Sequence, residues 1–459
     1  MPVFFAEQAL LPDGVVADVR IEVDAQGTIA AVTPAASAAG AERIRGPVLP
    51  GMANLHCHAF QRAMAGLAEL RGPRGDDFWS WRTAMYTVAA RMTPELLDAV
   101  AAGLYLEFLK RGYTAVGEFH YLHRQADGAD YDDPALLSRI VVAAARRVGI
   151  AITLLPALYA HGGFGAAPLL PGQRRFANSA AGLLDIVDTI RRAYRGDPCV
   201  AAGVAPHSLR AVAPAELGDL VTGLRALAPD APIHIHCAEQ TKEVDDCLAW
   251  SGRRPVDWLL DNTPVDSRWC AVHATHMTES ETGRLATTGA VAGLCPTTEG
   301  NLGDGFFNYH AFSQAGGSIG IGSDSNVSTS PFDEVRMLEY VQRLVHRRRV
   351  IATSEAQPST GVALWTKAAR DGARALTQPA GALRPGRRAD LVVLDPRHVA
   401  LVGRRGAAVV DSAIFAAADN PVCDVMVGGA WVVRDRRHDR DEEVGAAFSA
   451  ALTTLADAL

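Results

Sequence analysis

The chain has 459 residues, 49% apolar and 21% charged, with a formal net charge of −7. That is an ordinary globular composition, in a chain long enough for two or three domains or one large barrel, and too acidic to favour a nucleic-acid partner. Seven cysteines without CxxC spacing suggest a reduced, cytoplasmic protein, and neither a cleavable leader nor a bilayer-length apolar run is evident, so no membrane association is expected.

From Val3 to about Pro47, strand-like runs (Phe4–Leu11, Val15–Val23, Thr28–Val32) are broken by Asp13-Gly14 and Gln26-Gly27 turns. Similar runs return at Ala389–Leu394 and Val425–Val433. Segments 1–48 and 376–459 are therefore expected to share one small β-sandwich domain, followed by a terminal helix. Between them, residues 49–375 alternate strand and helix, the pattern of a parallel sheet. Val48–His58 reads as one short buried strand ending in two histidines. Thr93 and Pro94 suit a helix start, Leu97, Val100, Leu104 and Phe108 mark its buried face, and Gly112 ends it. The next strands are Tyr113–His120, Ile150–Leu155, Val200–Ala205, Ile233–Cys237, Trp269–His273, Ala290–Cys295 and Ile319–Ser323. With the first they make eight, which predicts a (β/α)8 TIM-like barrel whose active site lies at the C-terminal ends of the strands. A doubly wound open sheet is the alternative, but no GxGxxG follows the first strand.

Those strand ends carry the chemistry. His56 and His58 project to one face, with Cys57 on the other. Strand two brings Glu118, His120 and Tyr121, strand four His207 and Arg210, strand five His234, His236 and Glu239, strand six His273, and strand eight Asp324. A catalytic zinc needs about three protein ligands and an open position for water. His56, His58 and His236 supply three imidazoles and Asp324 an oxygen. His236 is preferred to His234 because it is nearer the rim and Glu239. Asp324 can also take a proton from the bound water, whose pKa such a metal lowers towards about 7. The plain alternatives are a helix N-cap for Asp324 and a satisfied buried histidine for His273. Of the 44 basic residues only Lys110, Lys242 and Lys367 are lysines, and none lies between Val200 and Arg210. That argues against a carbamylated lysine bridging two metals and for a single divalent ion, most simply Zn2+.

The pattern resembles the amidohydrolase superfamily: His-x-His after strand one, histidines closing strands five and six, aspartate closing strand eight. Leu49-Pro50-Gly51 and Leu383–Leu391 fit its flanking segments, and His236-Cys237-Ala238-Glu239 resembles the His-x-x-Glu of its deaminase branch. More narrowly, Asn54–Met64, Gly117–Tyr121, His207–Arg210 and Trp269–His276 are similar to the formimidoylglutamate deiminase family, Cys57 standing where serine is expected. The resemblance covers nearly the whole chain. It implies hydrolysis of N-formimino-L-glutamate to N-formyl-L-glutamate and ammonia, in histidine degradation, by a homodimer. It implies proton transfer by Glu239, His273 and Asp324, and a substrate pocket of Gln61, Arg82, Tyr121, His207 and Arg210. The two arginines suit a dicarboxylate, which a guanidinium fork binds bidentately. The segment Arg71–Met92, with Trp79, Trp81, Arg82 and Tyr86, is too long for a minimal loop and is expected to cover the pocket or reach a neighbouring subunit. Another deaminase of the branch, acting on guanine or a purine-like ring, is the nearest rival, and a non-catalytic scaffold on the same fold the more distant one.

Overall fold

In the computed structural model, residues 1–69 and 78–456 are described, the side chains of 78–80 excepted. Seventeen strands occur among them. They are β1 (Val3–Leu11), β2 (Gly14–Val23), β3 (Ile29–Thr33), β4 (Glu42–Arg43), β5 (Val48–Pro50), β6 (Met52–Cys57), β7 (Tyr113–His120), β8 (Ala151–Leu158), β9 (Val200–Ala202), β10 (Ala205–Pro206), β11 (Ile233–Cys237), β12 (Trp269–His273), β13 (Val291–Leu294), β14 (Ser318–Ile321), β15 (Leu391–Leu394), β16 (Val422–Val427) and β17 (Ala430–Val433).

Two sheets result. The N- and C-terminal strands form one hydrogen-bonded path, β17-β16-β15-β5-β1-β2-β3, with β4 beside β1. Its core holds Phe4, Ile21, Ile29, Leu391, Val393 and Met426, every one buried. The central strands run β10-β8-β7-β6-β14-β13-β12-β11, with β9 on β8, and each neighbouring pair is parallel. Bridges Val204↔Ile233 and Ser208↔His236 join the ends of this path, so the sheet closes into a barrel. Closure removes the exposed edges, and near-continuous burial along β6, β7 and β8 is what a parallel sheet covered on both faces requires.

The stretch read as one strand from Val48 is two. β5 pairs with β1 and β15 in the terminal sheet, while β6 pairs with β7 and β14 in the barrel. The chain changes sheets at Gly51, whose N–H donates to Asp390 O at 3.0 Å. A Cβ there would sit 2.3 Å from Thr114 Oγ1, so only glycine fits the crossing. The expected fourth strand is likewise interrupted, as β9 and β10, at Gly203.

The helix Pro94–Arg111 begins as its sequence predicts: the Thr93 hydroxyl accepts Leu96 N–H at 3.2 Å, and Gly112 ends it at φ +102°. The terminal helix Asp441–Ala456 lies on this helix rather than on the terminal sheet. Phe448 occupies the space over Gly103, and Lys110 pairs with Asp441 at 2.8 Å. A buried ion pair, Arg388 with Asp390, ties the terminal sheet to the barrel: Nε and Nη2 donate to the two carboxylate oxygens at 2.9 and 2.8 Å, and Nη1 to Pro198 O at 2.8 Å.

Candidate active site and metal centre

His56, His58, His236 and Asp324 come from three strand ends and meet. One ligating atom of each lies within 4.8 Å of the others, and all four residues are buried. Asp324 Oδ1 is 3.3 Å from both His56 Nε2 and His58 Nε2, and His236 Nε2 is 3.1 Å from His56 Nε2. The outer nitrogens fix two of the rings. His58 Nδ1 donates to Phe119 O at 2.8 Å and His236 Nδ1 to His207 O at 3.0 Å. Both therefore present a bare Nε2 lone pair to the shared point, as imidazoles do when a backbone carbonyl orients them towards a metal. His56 Nδ1 has no partner among the described residues. Three neutral imidazoles and one carboxylate oxygen suit a zinc-like divalent cation, so the residues fit the group that the sequence suggested. Burial holds the His56 imidazole down at about 3, which keeps it uncharged and available as a donor.

His234 is not part of the cluster. Its Nε2 donates to Ala375 O at 2.8 Å, lower in the barrel. Cys57 faces Asn326, 3.5 Å from its Oδ1, on the far side of β6. Asp324 is no helix cap: Ser330 stands at the N-cap position of the next helix, and Asp324 sits at φ +46°. Ala238 (φ +52°), His273 (+66°), Ala274 (+50°) and Asn326 (+64°) share that left-handed region. Such conformations cost roughly 1–3 kcal/mol each for residues other than glycine and concentrate where function demands them.

His273 Nε2 is 3.9 Å from Glu239 Oε1 and 3.9 Å from Asp324 Oδ2, and its Nδ1 is 3.3 Å from Glu299 Oε1. Burial disfavours the His273 cation, but Glu239, Glu299 and Asp324 outweigh it and raise the imidazole to about 10. Burial pushes the Glu239 carboxyl up, against the opposing pull of His273 and Arg210. Asp324 stays below the usual carboxylate range despite burial, because His56, His273 and His58 surround it.

A cavity of about 300 Å³ opens over this cluster, and Gln61, Arg82, Tyr121, His207, Arg210, Glu239, His273 and Asp324 all line it. Gln61 Nε2 donates to Tyr121 OH at 2.6 Å, while Gln61 Oε1 has no partner among the described residues. Arg210 Nη2 is 3.4 Å from Glu239 Oε2, and its Nε also lacks a partner among the described residues. Arg82 lies over the Tyr86 ring, 5.6 Å from its centroid. It belongs to the helix Phe78–Arg91, so part of the segment expected to cover the pocket does line it, with Trp81 and Tyr86. Residues 70–77 and the Trp79 side chain lie outside the described residues.

Four contributors escaped the sequence. Glu243 accepts the N–H groups of Ala238 and Glu239 at 3.1 and 3.2 Å and stands 3.9 Å from Arg210 Nη2. Glu299 receives Cys295 N–H at 3.0 Å and braces His273. Asp304 Oδ1 accepts from Gln240 Nε2, with Oδ2 unpartnered among the described residues; burial and Glu239 raise its carboxyl to about 9. Lys242 lines the cavity mouth and pairs with Asp246 at 2.8 Å. A glutamate four residues after Glu239, on the first turn of a predicted helix, was the one available signal for Glu243. Glu118, counted at the rim, turns away from it: its carboxylate takes Ala59 N–H at 3.0 Å and the Tyr105 hydroxyl at 2.9 Å, so it supports the turn after His58.

A closed parallel barrel with a histidine-aspartate cluster at the C-terminal ends of its strands is the architecture of metal-dependent hydrolases. The Amidohydrolase family model matches residues 48–432, and the chain belongs to that family. The model "Formimidoylglutamate deiminase HutF, N-terminal domain" matches residues 1–46. A formimidoylglutamate deiminase from Pseudomonas aeruginosa is 51% identical over 461 residues, covering 100% of both chains. The crystal structure of an amidohydrolase from Brucella melitensis is 48% identical, with a TM-score of 0.94, over 99% of this chain and 100% of that one. A 5-methylthioadenosine/S-adenosylhomocysteine deaminase from Nitratidesulfovibrio vulgaris is more distant, 29% identical over 86% of this chain and 81% of its own.

Proposed function

We infer that this protein catalyses the hydrolytic deamination of N-formimino-L-glutamate to N-formyl-L-glutamate and ammonia, in histidine degradation. Identity of 51% across the full length of a formimidoylglutamate deiminase carries this conclusion. The site chemistry supports it: a metal-type cluster, a glutamate and a histidine beside it, and two arginines on one cavity.

The following roles are part of the proposal. His56, His58, His236 and Asp324 would hold one divalent ion, most simply Zn2+. An ion held there would supply Lewis-acid chemistry, making water acidic enough to ionise near pH 7. Asp324 takes the proton of the attacking water and passes it on towards the leaving nitrogen. Glu239 protonates the imino nitrogen, and His273, held by Glu299, stabilises the carboxylates on either side. Arg210, with its Nε donor, and Arg82 bind the two substrate carboxylates. Gln61 Oε1, Tyr121 and His207 supply neutral hydrogen bonds. Each such proton transfer is worth about 10²–10⁴ in rate. The catalytic unit is placed at 49–375, with 1–48 and 376–459 supplying the companion β domain and the terminal helix.

The enzyme is further proposed to work in the cytoplasm as a homodimer. All seven cysteines are buried and free, which suits a reducing compartment. No described helix is long and apolar enough to cross a membrane. Ammonia release should be assayed with N-formimino-L-glutamate, guanine and a set of guanidino acids. Turnover of the first well above the others is expected; preference for guanine would replace the dicarboxylate reading with a purine one.

A further inference from the structure

Cys295, immediately after β13, has no part in the proposed chemistry. Yet one ligating atom each from His273, Cys295 and Asp324 lie within 4.8 Å of one another, and all three residues are buried. This second cluster meets the first at a single carboxylate, but at a different oxygen. Oδ1 of Asp324 faces His56 and His58, at 3.3 Å from each, whereas Oδ2 faces His273 Nε2 at 3.9 Å. On a tetrahedral zinc-like ion two nitrogen or oxygen donors lie about 3.4 Å apart, and a nitrogen–sulfur pair about 3.6 Å. The His273–Asp324 pair, at 3.9 Å, must close by about half an ångström to hold an ion. The thiol, within 4.8 Å of both, must close by at most about 1.2 Å, a side-chain adjustment on binding.

An independent observation is the other side of the His273 ring. Metal-binding imidazoles nearly always give their outer N–H to a carboxylate or carbonyl. His58 and His236 give theirs to Phe119 O and His207 O. His273 Nδ1 is placed in the same way, 3.3 Å from Glu299 Oε1, with Nε2 turned inward. Glu239 Oε1, 3.9 Å from that Nε2, is within reach as a fourth donor.

We propose that His273, Cys295 and Asp324 form a second, inhibitory site for a thiophilic divalent cation such as Zn2+, Cd2+ or Co2+, bridged to the first site by the Asp324 carboxylate. A thiolate ligand selects such ions over Mg2+ or Ca2+. Binding displaces the Cys295 thiol proton, and any proton on His273 Nε2, to solvent. It also occupies Asp324 Oδ2 and His273 Nε2, the atoms through which protons must move, so turnover stops while this site is filled. The inhibitory effect rests on the deaminase proposal; the binding does not, because it can be read without substrate.

The test uses full-length protein carrying one equivalent of Zn2+, titrated with Co2+. The expected result is a second bound equivalent, a near-ultraviolet thiolate-to-cobalt charge-transfer band, and loss of ammonia release with the same midpoint as the band. Cys295→Ala and Cys295→Ser should keep the first equivalent and the basal activity. Both should lose the band, and their inhibition midpoint should rise at least about tenfold, the usual scale for losing support of a metal. Absence of a second equivalent or of the band in the wild-type protein overturns the proposal, whether or not the variants fold. So does a band or an inhibition midpoint that either folded variant leaves unchanged.

Discussion

Replacing Glu243 by glutamine separates the support of Glu239, the proposed proton donor, from Glu239 itself. The Glu243 carboxylate accepts two backbone N–H groups, from Ala238 and Glu239, and faces Arg210 at 3.9 Å. Ala238 is held at φ +52° in that turn. An amide offers one oxygen, so one N–H would meet an NH2 donor, and buried Arg210 would lose a counter-charge. A hydrogen bond to a charged group contributes about 1.5–3 kcal/mol. If half of that is expressed as misplacement of Glu239, the barrier rises by about 0.7–1.5 kcal/mol, a three- to twelvefold fall in kcat. KM should rise as well, because Arg210 is expected to bind a substrate carboxylate. Steady-state ammonia release, with metal content measured on the same sample, gives both constants. A variant with normal metal content and kcat and KM within twofold of the wild type would show that Glu243 does not position Glu239.

Asp324→Asn should nearly abolish turnover with most of the metal retained, checked by ammonia release and elemental analysis of the same sample. His56→Ala should lose metal and activity together; full activity without metal would remove His56 from the ligand set. Arg82→Gln and Arg210→Gln should each raise KM for N-formimino-L-glutamate at least tenfold, the change expected when a charged hydrogen bond worth about 1.5–3 kcal/mol is lost, and equal KM values in kinetic assays would contradict their role. Asp390→Asn leaves Arg388 buried without its charge partner. That should cost about 3–5 kcal/mol and lower the thermal midpoint by several degrees; an unchanged melting curve would contradict the structural role of this pair.

The cluster of metal-type ligands was readable because it obeys local rules. Alternation along β6 forces His56 and His58 to one side and Cys57 to the other, and each remaining member of the cluster lies at the end of its own strand. The eight-strand count was readable for the same reason. Distinguishing His236 from His234 needed depth in the barrel, which nearness to Glu239 supplied. What the sequence could not show arises from contacts across the fold. Glu299 reaches His273 from the short helix Pro296–Leu302 that follows β13, Asp304 meets Gln240 from a loop beyond it, and the terminal helix lies on a barrel helix because Gly103 leaves room for Phe448. The break at Gly51 was hidden because both halves of the stretch are apolar and buried, so periodicity alone could not reveal that they enter different sheets.

X-ray absorption spectroscopy of the wild-type protein carrying one equivalent of Zn2+ addresses the metal centre directly. Three imidazole nitrogens at about 2.0–2.1 Å, with oxygen completing the shell, are predicted. A sulfur neighbour at about 2.3 Å at that stoichiometry, or fewer than three imidazoles, would contradict a centre built from His56, His58, His236 and Asp324.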